Sequence, residues 1–89
     1  MFENADALWR AYLETKDTVG VLYMGEPRSL EFERNLSEGE DLREVAAGLF
    51  AGLRELAKEA VDEIWTYKMP EEGLGRAIND RLKRAAISV

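Results

Sequence analysis

The chain has 89 residues, enough for a single domain spanning 1–89 whose core is thin, burying roughly 60–65% of the surface its unfolded form exposes. With 46% hydrophobic and 34% charged residues it has the composition of a folded protein, and lacking cysteine and histidine it has no disulfide, thiol nucleophile, imidazole base or zinc-finger ligand set. A net charge of −6 argues against general nucleic-acid affinity, no apolar run reaches the ~20 residues of a membrane span, and the acidic start Met1-Phe2-Glu3-Asn4 is unlike a signal peptide, so a cytoplasmic location is expected.

Phe2, Ala5, Leu8, Trp9, Tyr12 and Leu13 recur at helical spacing behind Asn4, a good capping residue, and predict a first helix over about Ala5–Thr15. Its Trp9 and Tyr12 read as core packing rather than as a stacking platform for bases. Thr18–Met24 is a continuous apolar run, as a strand buried on both faces requires, and Gly25-Glu26-Pro27-Arg28-Ser29 ends it. Leu30–Leu36 begins with apolar and polar residues in alternation, the pattern of a strand with one wet face. A parallel crossover needs a dozen or more residues, so this short connection predicts an antiparallel hairpin if the two strands pair directly.

Ser37-Glu38-Gly39-Glu40 has the S-x-x-E form of a capping box and introduces a long helix. Leu42, Val45, Ala46, Leu49, Phe50, Leu53, Leu56, Ala57 and Ala60 form its apolar stripe. Gly48 and Gly52 make a G-x-x-x-G pair that costs up to ~1 kcal/mol each relative to alanine unless a backbone or sheet packs closely there. That pair is either a close contact with the sheet or a helix-helix contact between two copies of the chain. Val61–Met69 predicts a third strand, stopped by Pro70, and a last helix follows over about Leu74–Ala86 with Leu74, Ala77, Ile78, Leu82 and Ala85 facing inward. The order α-β-β-α-β-α predicts an α/β fold: a small three-stranded mixed sheet with three helices packed on it, a reduced Rossmann-like arrangement.

Charge is uneven along this order. Arg76, Arg81, Lys83 and Arg84 against Asp80 give residues 74–89 a net +3, leaving −9 on the first 73. Cations at the end of a helix complement its dipole; a tRNA-binding patch is the alternative reading. Gly73-Leu74-Gly75 at the start of the last helix is a candidate anion or nucleotide site, with Glu72, Gly73, Gly75, Arg76 and Asn79 as its residues. Against it, the third glycine and the downstream acid of a dinucleotide fingerprint are missing, and Glu71 and Glu72 repel anions. The structural alternative is that Gly73 turns the chain with positive φ while Gly75 lets the helix approach the strand. Glu71, Glu72 and Asp80 are oxygen ligands of the kind Mg²⁺ accepts, but clusters of acids arise by chance in so acidic a chain, and no metal or other cofactor is expected.

The helix Leu42–Leu56, the following Val61-Asp62-Glu63-Ile64 and above all Pro70-Glu71-Glu72-Gly73-Leu74-Gly75 continuing to Asn79-Asp80-Arg81-Leu82 resemble the C-terminal domain of two-domain threonylcarbamoyl-AMP synthases of the Sua type. With Val19-Gly20-Val21-Leu22 the resemblance covers most of residues 18–86. It implies a link to the activated intermediate made from threonine, bicarbonate and ATP for modifying adenosine 37 of certain tRNAs. In that family catalysis resides in an N-terminal YrdC-like domain, which these residues do not include. The resemblance therefore implies a non-catalytic accessory module, not itself an enzyme, working by protein contact. The thin core separately allows a second copy joined at the Gly48/Gly52 face or a sheet edge, and charge and hydropathy give no expectation of nucleic-acid or membrane binding. The resemblance also implies a helical crossover between the first two strands, which Gly25–Ser29 is too short to hold. Ala57-Lys58-Glu59-Ala60 stands where the family tends to show Asp and Gly, which predicts a longer helix or an altered turn.

Overall fold

The computed structural model describes residues 1–86, without the side chains of Ala85 and Ala86. The inward placement expected for Ala85 therefore lies outside the described residues. The elements are α1 (Ala5–Glu14), β1 (Val19–Tyr23), β2 (Glu33–Asn35), α2 (Leu42–Ala57), β3 (Glu63–Trp65) and α3 (Leu74–Ala86). The α/β class and the element order are those the sequence predicts. No described helix is long and apolar enough to cross a membrane.

The sheet has the order β2-β1-β3 and every strand pair in it is parallel. This corrects two expectations, the mixed sheet and the antiparallel hairpin. Val21 lies opposite Glu33 and Tyr23 opposite Asn35, so β2 pairs over three residues only. At ~3.3 Å per residue the chain must travel back only about 10 Å to restart in the same direction. The stretch between Tyr23 and Glu33 does this without a helix, because side chains hold it instead. Glu33 Oε1 accepts the Leu30 N–H at 2.6 Å, and the Tyr23 hydroxyl donates to Glu33 Oε2 at 3.0 Å while accepting the Arg28 N–H at 2.9 Å. Gly25 at φ +104 and Ser29 at φ +53 make the reversals. Only after Phe32, whose carbonyl accepts the Val21 N–H at 3.1 Å, does the ladder begin.

All five residues of β1 are buried, as a central strand with both faces covered must be. Leu22 and Gly20 face α2: the Leu56 side chain lies against Gly20, and Leu22 lies against Gly52. Tyr23, one residue along and so on the opposite face, meets Trp9 of α1 edge-on with ring centroids 5.4 Å apart. Helices thus cover both faces, α2 and α3 on one and α1 on the other, around a core that includes Leu8, Val21, Leu22, Val45, Leu49 and Leu56. The amino terminus extends the β3 edge, with Phe2 N–H donating to Thr66 O and Lys68 N–H to Phe2 O, both at 2.9 Å.

Helix ends follow local chemistry. Asn4 Oδ1 accepts the Ala7 N–H at 2.9 Å and caps α1. The capping box placed at Ser37–Glu40 is displaced: Asp41 is the N-cap, accepting the Arg43 N–H at 2.9 Å, and Glu40 sits at φ +57 with its side chain beside Gly25. Ser37 braces the same turn from further back, its hydroxyl donating to Glu44 at 2.6 Å and accepting the Asp41 N–H at 2.9 Å. α2 stops at Ala57, before the Ala60 to which its apolar stripe extends, with Lys58 as a right-handed cap.

Candidate functional site

The segment with the most specific sequence, Pro70–Asn79, joins β3 to α3. Pro70 ends the extended chain, its carbonyl accepts the Glu72 N–H at 2.8 Å, and the Glu72 carbonyl accepts the Gly75 N–H at 2.9 Å. Gly73 turns through φ +51 and is exposed, with open space where a side chain would project. Gly75 is buried, and a Cβ there would overlap the Pro70 carbonyl, so only glycine fits. One turn on, Asn79 is buried at 5% exposure. Its Oδ1 accepts the Met69 N–H at 2.6 Å, and its Nδ2 donates to the Met69 carbonyl at 2.8 Å and to Glu71 Oε1 at 3.0 Å. The amide thereby supplies the hydrogen-bond partners that the buried Met69 backbone, four residues past β3, would otherwise lack.

The five residues predicted as an anion site are thus adjacent but differently occupied. Both amide hydrogens of Asn79 and the N–H groups of Glu72 and Gly75 are engaged within the chain. Arg76 reaches toward Glu71 at 3.9 Å, with both side chains largely exposed. A cavity of about 110 Å³ beside the junction is lined by Lys68, Glu71, Arg76, Asn79, Asp80 and Lys83 among others. Lys68, Arg76 and Lys83 stand there against Glu71 and Asp80, so the lining is of mixed sign with a slight cationic excess, and Glu71 lies nearest Arg76. No group of three carboxylates able to hold a metal ion occurs among the described residues, and Glu71 is already shared between Asn79 and Arg76. Of the G-x-x-x-G pair, Gly52 is buried with Leu22 and Leu36 above it, and Gly48 is half-buried beside Leu36. Both glycines face the chain's own sheet.

A polar cluster that sequence reasoning missed lies at the carboxyl end of β1, where open α/β sheets commonly hold ligands. There the Tyr67 hydroxyl donates to the Met24 carbonyl at 3.2 Å and accepts its N–H at 3.1 Å. Burial pushes the Tyr67 hydroxyl above its ordinary pKa, against the lowering effect of the Met24 N–H; Glu40 adds to the rise and Arg28 opposes it. Burial raises Tyr23 too, with Glu33 adding to the shift. Both hydroxyls brace this end of the sheet, Tyr67 through the Met24 backbone and Tyr23 through Glu33 and Arg28. Tyrosines in apolar runs read as packing; what would have revealed them is the need of a buried phenol for a partner, and that partner, a loop backbone, has no sequence signal.

Two further cavities flank the sheet. One of about 240 Å³ at the amino end of β1 is lined by Tyr12, Thr15, Asp17, Thr18, Glu31 and Phe32, among others. The other, about 130 Å³, lies between α2 and α3 and is floored by Ala46, Leu49, Leu74, Ala77 and Ile78, with Arg81 at its rim.

With this geometry established, comparison with known proteins gives a match over residues 2–87 to the family described as threonylcarbamoyl-AMP synthase, C-terminal domain. The chain belongs to that family. A threonylcarbamoyl-AMP synthase of Bacillus subtilis (strain 168) is 33% identical over 87 residues, an alignment covering 94% of this chain and 25% of that protein. The chain thus spans about a quarter of the length of the curated relative it matches. No solved structure matches. For this synthase C-terminal domain, the resemblance read from Leu42–Leu56 and Pro70–Leu82 is upheld, and two residues of its most specific segment, Gly75 and Asn79, have structural roles in the β3–α3 junction.

Proposed function

We propose that the chain is a non-catalytic accessory module of threonylcarbamoyl-AMP synthesis, acting in the cytoplasm through contact with a protein that carries the chemistry. The observation that carries the reading is the occupancy of the junction: Gly75 packs on Pro70, and Asn79 spends its amide on Met69 and Glu71. The motif that marks the family thereby builds the fold and leaves little to spare for a substrate. Family membership supports the reading from the other side, since the matched description is of a C-terminal domain and the synthase it resembles is four times as long.

Forming an acyl-adenylate from threonine, bicarbonate and ATP needs a site that holds a triphosphate, commonly with Mg²⁺, and orients an amine for attack. The candidates here are a ring of mixed charges at the α3 start, two tyrosine hydroxyls whose pKa burial raises further, and an apolar groove. At the first of these, Glu71 and Asp80 stand among the cations, and the Glu72 and Gly75 N–H groups are engaged within the chain. The purified chain supplied with threonine, bicarbonate, ATP and Mg²⁺ is expected to release no pyrophosphate above background; threonine-dependent release would end the non-catalytic reading.

A further inference from the structure

Positive charge and exposed apolar surface coincide on one face of this acidic chain. On α2 the positions Arg43, Ala47, Phe50, Arg54 and Lys58 recur at the spacing that places them along one side of a helix, and all are exposed. The acids of the same helix lie elsewhere: Glu44 is bonded to Ser37, and Glu55 pairs with Arg34 of β2 at 2.6 Å. On α3, Leu74, Ala77, Arg81 and Arg84 form the matching side, and Asp80 is taken up by Arg84 at 3.9 Å. Among the described residues Arg43, Arg54, Lys58 and Arg81 enter no ion pair. Leu74, 44% exposed, lines the groove of about 130 Å³, and Phe50, 46% exposed, adjoins it through Arg81, whose guanidinium lies over the Phe50 ring at 5.8 Å from its centroid.

We propose that this α2/α3 face is a docking groove for an acidic amphipathic helix of a partner protein, seating an aliphatic side chain over Leu49, Leu74 and Ile78 while carboxylates meet Arg43, Arg54 and Arg81. The groove is close to the ~150 Å³ that receives one benzene ring, the right scale for one such anchor. Helix-in-groove recognition uses an apolar floor of this kind, and the cationic rim selects the partner's sign and speeds encounter. Nucleic acid fits less well, because phosphate contacts call for cations alone and an aliphatic floor recognises neither phosphate nor base edge. A second copy fits less well too: its most exposed apolar residue, Leu13 at 85%, stands on α1 between Arg10 and Glu14, beside Lys16, a mixed surface and not an acidic one. The inference names the contact surface for the accessory role and rests on that reading for its biology, but its test stands apart from it.

The probe is a synthetic helix-forming peptide of leucine and glutamate, with leucines at i, i+3, i+4 and i+7, set against its counterpart with lysine for glutamate. Amide shifts of the chain are followed by NMR. The glutamate peptide is expected to shift Ala46, Phe50, Leu74, Ala77 and Arg81 saturably and the lysine peptide to leave them in place. Arg43→Glu/Arg81→Glu, checked for an unchanged spectrum elsewhere, should weaken the glutamate peptide at least about tenfold and admit the lysine one. Equal response to both peptides, or shifts centred elsewhere, overturns the proposal. Displacement of the same amides by a homouridine oligonucleotide more effectively than by the glutamate peptide assigns the face to RNA instead. Concentration-dependent shifts there without peptide assign it to a second copy. A positive titration with a chain that leaves the synthase reaction unaffected would retain the groove and remove the accessory reading.

Discussion

Replacing Asn79 by alanine deletes three hydrogen bonds and leaves the Met69 N–H and carbonyl without that partner in a buried setting. Orphaned buried groups cost about 1–3 kcal/mol each beyond the bond itself, so Asn79→Ala is expected to lose about 2–4 kcal/mol of folding stability. Urea unfolding checks it; a loss under about 1 kcal/mol would mean that Asn79 is not the lock described and is free for another role. Tyr67 makes a second test, through pH. Its folded pKa is raised above the ordinary tyrosine value of about 10, mainly by burial, so the folded state holds the phenolic proton more tightly than the unfolded chain does. The stability this gives is fully present below about pH 10 and is lost as pH rises from there through the folded pKa. Tyr67→Phe should therefore be less stable near neutrality, where the Met24 groups lose their partner, and less steeply destabilised above pH 10. Parallel curves for the two proteins would show that Tyr67 does not titrate in the unfolding transition.

At the level of elements, the three helices were legible because their signals are local: Asn4 caps α1, and the apolar stripe of α2 carries Val45, Leu49 and Leu56 into the core. Strand direction was not legible. The short connection after Tyr23 argued for a hairpin, and the hydrogen bonds of Glu33 to Leu30 and Tyr23 that permit a parallel return without a helix are non-periodic. The junction was legible as glycine geometry, Gly73 turning and Gly75 packing, but Asn79 was legible only as a candidate ligand residue or solvated surface, because the backbone it serves ten residues earlier cannot be seen in a linear pattern. The same blindness applied to Gly48 and Gly52, whose spacing suits a sheet or another helix equally. The structure separates them: a Cβ at Gly48 would lie 3.6 Å from Leu36, an ordinary contact, whereas at Gly52 it would lie 2.9 Å from Leu22 and 3.3 Å from Leu36. Gly48→Ala is accordingly expected to stabilise by about 0.5–1 kcal/mol through helix propensity. Gly52→Ala should destabilise by about 1–2 kcal/mol, overpacking outweighing propensity. Thermal melts of the two variants moving in the same direction would contradict this packing.

For the whole molecule, a central β1 buried on both faces, a Tyr67 hydroxyl spent on the Met24 backbone and a family motif absorbed into the β3–α3 junction leave the α2/α3 face as the surface with the most pronounced character. That distribution suits a part that is held by something else. Its consequence is tested most directly by adding the purified chain to a threonylcarbamoyl-AMP synthase catalytic domain from which the cognate C-terminal domain has been removed, and measuring threonine-dependent pyrophosphate release. An accessory module should change the rate or the threonine dependence saturably with its own concentration, and Arg43→Glu/Arg81→Glu should blunt the effect. Identical kinetics with and without saturating chain would contradict the account.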